Sequence, residues 1–274
     1  MTQPSSIENG CYALEVVHET DLPLLKSVPR AYILTLHETD TFEHLHGIAS
    51  KTYIQRNQSF KVCHKTREKG KVVTATNQDL IHAYANVLSL EEGRGYPFLI
   101  FEDDAQLTQN AREDWPHLDS FISSEDFSVY FLGCSGFFKL PHGTKGHWRL
   151  FGIVAYTHAV VYSPSAPSAI LEIIRSGLHP RDHFDVPILS KLKNRFTYHR
   201  PIAFQSFDSM KRSENSKTWN VNMDMFFYWN DMVYGGLHSE SGWHVMYRVH
   251  QCWILLLTCI SLFVIVCIAL AIYR

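Results

Sequence analysis

The chain has no basic surplus. Lys and Arg fall just short of Asp and Glu, for a formal net charge of -2, which speaks against a nucleic-acid binder driven by a basic surface. It has no Cys-x-x-Cys pair, so a structural zinc site is not expected. Of its six cysteines, Cys252, Cys259 and Cys267 sit near the C-terminus. Cys11, Cys63 and Cys134 are too scattered for a disulfide framework and read as free thiols of a reducing compartment. The N-terminus (MTQPSSIENG) lacks a basic stretch followed by an apolar core, so no signal peptide is expected. No internal repeat is visible. What is present is 46% hydrophobic content over 274 residues, enough for one good-sized globular domain plus an appendage. Sixteen histidines are many, but number alone implies no metal site.

The appendage is Trp253 to Ile272, about twenty residues without a charge. That is long enough to cross a bilayer core of roughly 30 Å as a helix. Trp253 and Tyr273 stand at its ends like interface anchors, with Arg248 before and Arg274 after. The expectation is a single-pass tail anchor over 252–273, with the folded domain on the cytosolic side of a membrane. Residues 1–28, broken by Pro4 and Pro23, read as an N-terminal arm, 29–220 as the catalytic domain, and 221–251, rich in aromatics, as a juxtamembrane segment.

Within the domain, one stretch organises the rest. Phe98-Leu99-Ile100-Phe101 is a short apolar run that stops at Glu102-Asp103-Asp104. Such a run reads as a strand buried on both faces, and the C-terminal ends of strands are where open α/β sheets bind ligands. Three adjacent acids repel one another unless a cation sits among them. Magnesium or manganese, held by carboxylates and substrate phosphates, fits that need.

Around it, Ala31 to Leu36 is a strand followed by a helix opening at Thr41, and Lys51 to Lys71 reads as a basic loop. Thr76 begins a helix that carries Leu80, Ile81, Tyr84, Val87 and Leu88 at helical spacing up to Gly93. Leu107 to Phe121 reads as a helix interrupted at Pro116, and Phe127 to Leu132 as a second buried strand. Residues 137–149, rich in Gly, Pro and His, read as a mobile loop over the site. Ile153–Tyr156 and Ala159–Tyr162 are strand-like, Pro167–Ser176 and Ile188–Lys193 helical. Phe196–Gln205 reads as a final edge strand that tolerates Pro201. The alternation of strands and helices implies an α/β domain.

Taken in order, these pieces resemble glycosyltransferase family 25, the group of lipooligosaccharide and procollagen galactosyltransferases. The likeness runs from about residue 30 to 220, through AYILTL, FLIFEDDA, VYFLG, VAYTHAVVYS, HPRDH and YHRPIAFQ. It implies a GT-A type fold, a Rossmann-like mixed sheet flanked by helices, that binds a nucleotide sugar and manganese or magnesium. One departure is that Thr35-Leu36-His37 stands where the family has Asn-Leu-Asp, which bears on the nucleotide contacts.

The resemblance assigns the metal to Asp104 and Glu102, with His199 as a third ligand, and nucleotide contacts to Thr35, Leu36, Glu102 and Asp103. Asp182, and after it Asp185, are the candidate catalytic bases that take the acceptor hydroxyl's proton. The reaction would move a sugar such as galactose or glucose, with inversion, to a hydroxyl on a glycan, lipid or protein acceptor. Two other readings compete: an inactive membrane scaffold of the same fold, and a metal-dependent phosphoesterase.

Overall fold

The computed structural model describes residues 12–35, 42–52, 54–62, 76–143, 146–177, 184–205 and 239–272. Tyr12–Glu19 forms β1, an edge strand paired antiparallel to β3 (Arg56–Val62). The expected arm therefore contributes to the sheet, and part of the expected basic loop is a strand. Between them lies β2 (Arg30–Thr35), followed by α1 (Phe42–Thr52). A second helix, α2 (Thr76–Glu91), leads into β4 (Phe98–Glu102), whose first four residues are buried. Asp103 and Asp104 turn the chain into β5 (Ala105–Leu107), then α3 (Ala111–Ser124) runs straight through Pro116.

The stretch expected to be a loop over the site is instead a hairpin, β7 (Ser135–Pro141) against β8 (His147–Ala155), after β6 (Val129–Phe131). The turn residues there close a long ribbon. β9 (Ala159–Tyr162) and α4 (Ala166–Arg175) follow, with one 3-10 turn at Leu189–Lys191 where a helix was expected. The expected edge strand is two strands, β10 (Arg195–Tyr198) and β11 (Ala203–Gln205). β10 is interior, parallel to β6 and antiparallel to β8. Pro201, which has no N–H to give a ladder, lies where the chain leaves that sheet for β11.

The nine-stranded sheet runs β1-β3-β2-β4-β9-β6-β10-β8-β7, and β11 pairs with β5 in a second, two-stranded sheet. β3, β2 and β4 are mutually parallel, whereas β9 is antiparallel to both its neighbours. The fold is thus a mixed α/β sandwich. Ile33, Leu99 and Phe101 face α1 and α3 through Ala49, Trp115 and Leu118, while Tyr32, Phe98 and Ile100 face α2 and α4 through Tyr84, Val87 and Ile170. The chain leaves β2 to one side for β3 and returns past it to β4, so the strand order reverses between β2 and β4. That reversal puts a crevice at their C-terminal ends.

The last helix, α5 (Glu240–Ile272), corrects the expected anchor. Its first turns are amphipathic and dock on the domain through Trp243, Met246 and Tyr247, which are buried against Phe204. Among the described residues no helix is long and apolar enough to cross a membrane.

β6 is closely fitted to what crosses its end. Leu132 accepts hydrogen bonds from the backbone of Ile202 and Ala203 at 2.7 and 3.1 Å. A Cβ on Gly133 would stand 2.0 Å from the Ala203 carbonyl oxygen and 2.8 Å from Nε2 of His158. The backbone contact cannot be relieved by a rotamer change. Gly133→Ala is expected to destabilise the fold by about 3 kcal/mol, the upper range for overpacking a core, read as a lower denaturation midpoint in urea. An unchanged midpoint would mean that β11 can move away freely.

Candidate functional site

The crevice holds Glu102, the last residue of β4. It lies opposite Leu34 in the register with β2, and Thr35, fully buried, ends β2 one residue further on. The Glu102 amide donates to the carbonyl of His158 at 2.8 Å. Its Oε1 accepts from the hydroxyls of Tyr84 at 2.8 Å and Thr157 at 2.6 Å. Tyr84 also donates to the Thr157 carbonyl at 3.2 Å, and its ring is stacked on Phe184, centroids 3.8 Å apart. A helix, a strand end and the segment after β8 thus converge on one carboxylate oxygen.

Burial pushes the Glu102 carboxyl above its ordinary range. The Thr157 and Tyr84 hydrogen bonds oppose this, and the Asp185 charge adds to it. A carboxylate lying close enough to raise the proton affinity of Glu102 marks a place where added positive charge is stabilising. Asp185 is itself held by backbone donors, Tyr156 N–H to Oδ2 at 3.2 Å and Val186 N–H to Oδ1 at 2.7 Å. Tyr156 adopts a positive φ of 73°, a costly conformation for a bulky residue at the point where its N–H meets Asp185.

Asp104, on the turn after Glu102, accepts from Gln205 Nε2 at 2.7 Å through Oδ2. The contact follows from the β5–β11 pairing, which sets Gln205 opposite Ala105. Structure therefore brings Thr35, Glu102, Asp103, Asp104 and Asp185 to one edge of the sheet. Leu36 and Asp182 lie outside the described residues. His199 is placed elsewhere. It follows β10, three strand spacings from β4 in the sheet order, roughly 14 Å, too far to share an ion with Asp104.

No protein-family model matches the chain, and no curated protein matches it.

The donor set can be tested against a divalent ion on these residues. Among the described residues no group of three or more His, Cys, Asp and Glu side chains is arranged to hold a metal. A closed protein cage is therefore not what the crevice offers. Magnesium and manganese in nucleotide sites need less, one or two carboxylates with water and substrate phosphates completing the shell. The Asp103–Asp104 turn fits that smaller requirement, with Glu102 beside it.

Tyr84, Thr157, Gln205 and Tyr156 were not singled out from the sequence. Tyr84 carried the one usable signal: a tyrosine at a core position of a helix must find a partner for its hydroxyl.

Proposed function

We propose that the chain is a glycosyltransferase of the GT-A type, using a nucleotide sugar and a divalent metal, manganese or magnesium. The observation that carries the reading is the carboxylate row Glu102, Asp103 and Asp104 at the point where strand order reverses, with a fourth carboxylate, Asp185, close enough for its charge to act on Glu102. The likeness to glycosyltransferase family 25 supports it. A divalent ion there would neutralise charge developing on a departing diphosphate.

The chain's own residues do the rest. Asp104, held by Gln205, and Asp103 would carry the ion. Glu102, fixed through one oxygen by Tyr84 and Thr157, keeps the other for a donor hydroxyl. Thr35 borders the nucleotide side, with Leu36 beside it in sequence. Asp185, its oxygens oriented by two backbone N–H groups, is the described candidate for taking the acceptor proton, and Asp182 is the other. The acceptor is a hydroxyl on a glycan, lipid or protein. Action at a membrane face is part of the reading, supported by the exposed apolar side chains Ile260, Leu262, Phe263 and Ile265, whose contact with a lipid bilayer would remove apolar surface from water.

The test is thermal unfolding of the full chain in nonionic detergent, followed by tryptophan fluorescence, with a panel of nucleoside diphosphates and nucleotide sugars. A ligand at a hundred times its Kd stabilises by about 2.7 kcal/mol, worth roughly 5 °C or more in a protein of this size. The expected result is a manganese-dependent rise with one nucleobase. No rise with any of them would sink the transferase reading and favour the inactive scaffold.

A further inference from the structure

A cavity of about 580 Å³ lies between the first turns of α5, the start of α3 and the end of β10, bordered by Asn110, His199, Arg200, His244, Tyr247 and Arg248. It is lined by none of the carboxylates of the Glu102 crevice, and its chemistry is of the opposite sign. Arg200 places Nε and Nη2 on the buried Asp114, at 3.0 and 2.7 Å, which leaves Nη1. Arg248 is exposed and has no acid within ion-pair distance among the described residues. The acids nearby are already engaged, Asp114 by Arg200 and Glu240 by His244 at 3.5 Å and by the Gln109 N–H.

Positive charge also stands behind the wall. Lys139 sits 4.1 Å above the Tyr247 ring, and the Tyr247 hydroxyl accepts from the Cys134 N–H at 3.0 Å. Lys139 and Arg195 flank Cys134 electrostatically. Both are buried, at 2% and 5% exposure, and neither is paired with a carboxylate among the described residues. Nε and Nη1 of Arg195 make no hydrogen bond there. Buried cations without counter-charge are costly, and an anion brought within their field relieves that cost.

From this arrangement we infer that the cavity binds a phosphate monoester group. Arg248 supplies the free guanidinium fork, which matches phosphate geometry. Arg200 Nη1 and the Asn110 amide orient the oxygens. Tyr247 and Val245 pack against the organic part. The same chemistry occurs in a small soluble phosphate and in a phosphatidic acid headgroup. The exposed apolar side chains from Ile260 onward on the same helix are compatible with the second source. The inference does not rest on the transferase reading.

The test uses the full chain in nonionic detergent with EDTA present. Phenyl phosphate is titrated calorimetrically, and flotation is compared on phosphatidylcholine vesicles with and without phosphatidic acid. Arg248→Gln is expected to weaken binding about tenfold, with Arg248→Lys recovering part of it. Asp104→Asn is expected to leave it unchanged, which separates this site from the crevice. Heat with phenyl phosphate assigns the cavity to soluble monoesters, and Arg248-dependent flotation with phosphatidic acid alone assigns it to the headgroup. No response in either arm, or a response undiminished in Arg248→Gln, overturns the inference.

Discussion

An Asp104→Asn protein is expected to fold normally and to lose manganese-dependent nucleotide binding and transfer. The substitution keeps the shape of the side chain and its hydrogen bond to Gln205, which an amide oxygen can accept as the carboxylate does at 2.7 Å. It removes one negative charge from a turn where a metal would need one or two carboxylates. Losing that ligand should cut turnover by about 10³-fold, the scale of losing one group that stabilises charge in the transition state. Gln205→Leu should give a smaller loss, because it leaves the charge and removes only what holds it in place. The melting curves of both variants without ligand serve as controls. If Asp104→Asn keeps its manganese-dependent shift, the metal is not on this turn.

Acidification from pH 7 to 4 should unfold the protein cooperatively. His147, His158 and His250 are buried, and burial pushes each down to about 4. At His147 the positive charges of His117, His199 and His142 add to the burial and Glu125 opposes it. At His250 the Lys139 charge adds to it. Nδ1 of His147 lies 2.8 Å from the Tyr130 hydroxyl, within hydrogen-bond reach. The unfolded chain takes up protons near pH 6.5, where free histidine titrates. Between 6.5 and 4 it therefore binds more protons than the folded chain, and stability must fall as pH falls.

Full expression of one such shift is about 3 kcal/mol, so the three together can cancel a typical folding free energy of 5–15 kcal/mol. Glu102 works the other way, since its raised carboxyl gives folding a contribution that is present at low pH and lost as pH rises. Circular dichroism against pH should show a transition between 6.5 and 4, and a fully native spectrum and unchanged urea midpoint at pH 4 would refute this account.

What could be read from the sequence follows the range of the interactions involved. Phe98–Phe101 was legible because a continuous apolar run ended by acids has few other uses, and β2, α2, β6 and α4 were legible for similar local reasons. β3 was not, because Arg56–Val62 is mostly polar and is recruited by β1 and β2 on either side. The β7–β8 hairpin was hidden by the Gly, Pro and His that close it. The apolar C-terminal run suggested a membrane span, since nothing local reveals that the turns before it are committed to packing on the domain. Within the site, the acids were legible by type and their partners were not. Glu102 takes its hydrogen bonds from residues 18 and 55 positions away, which no spacing rule reaches. His199 suggested itself as a ligand by type alone, and strand order put it elsewhere.

The pairing of β5 with β11 also sets a schedule. Asp104 is held by a residue 101 positions later in the chain. A ribosome adding 5–20 residues per second leaves the acidic turn without that brace for roughly 5–20 s, while β2 and β4 already exist. During synthesis the acids are present before they are organised, so the proposed affinity for a metal ion should appear late and abruptly, when Gln205 arrives.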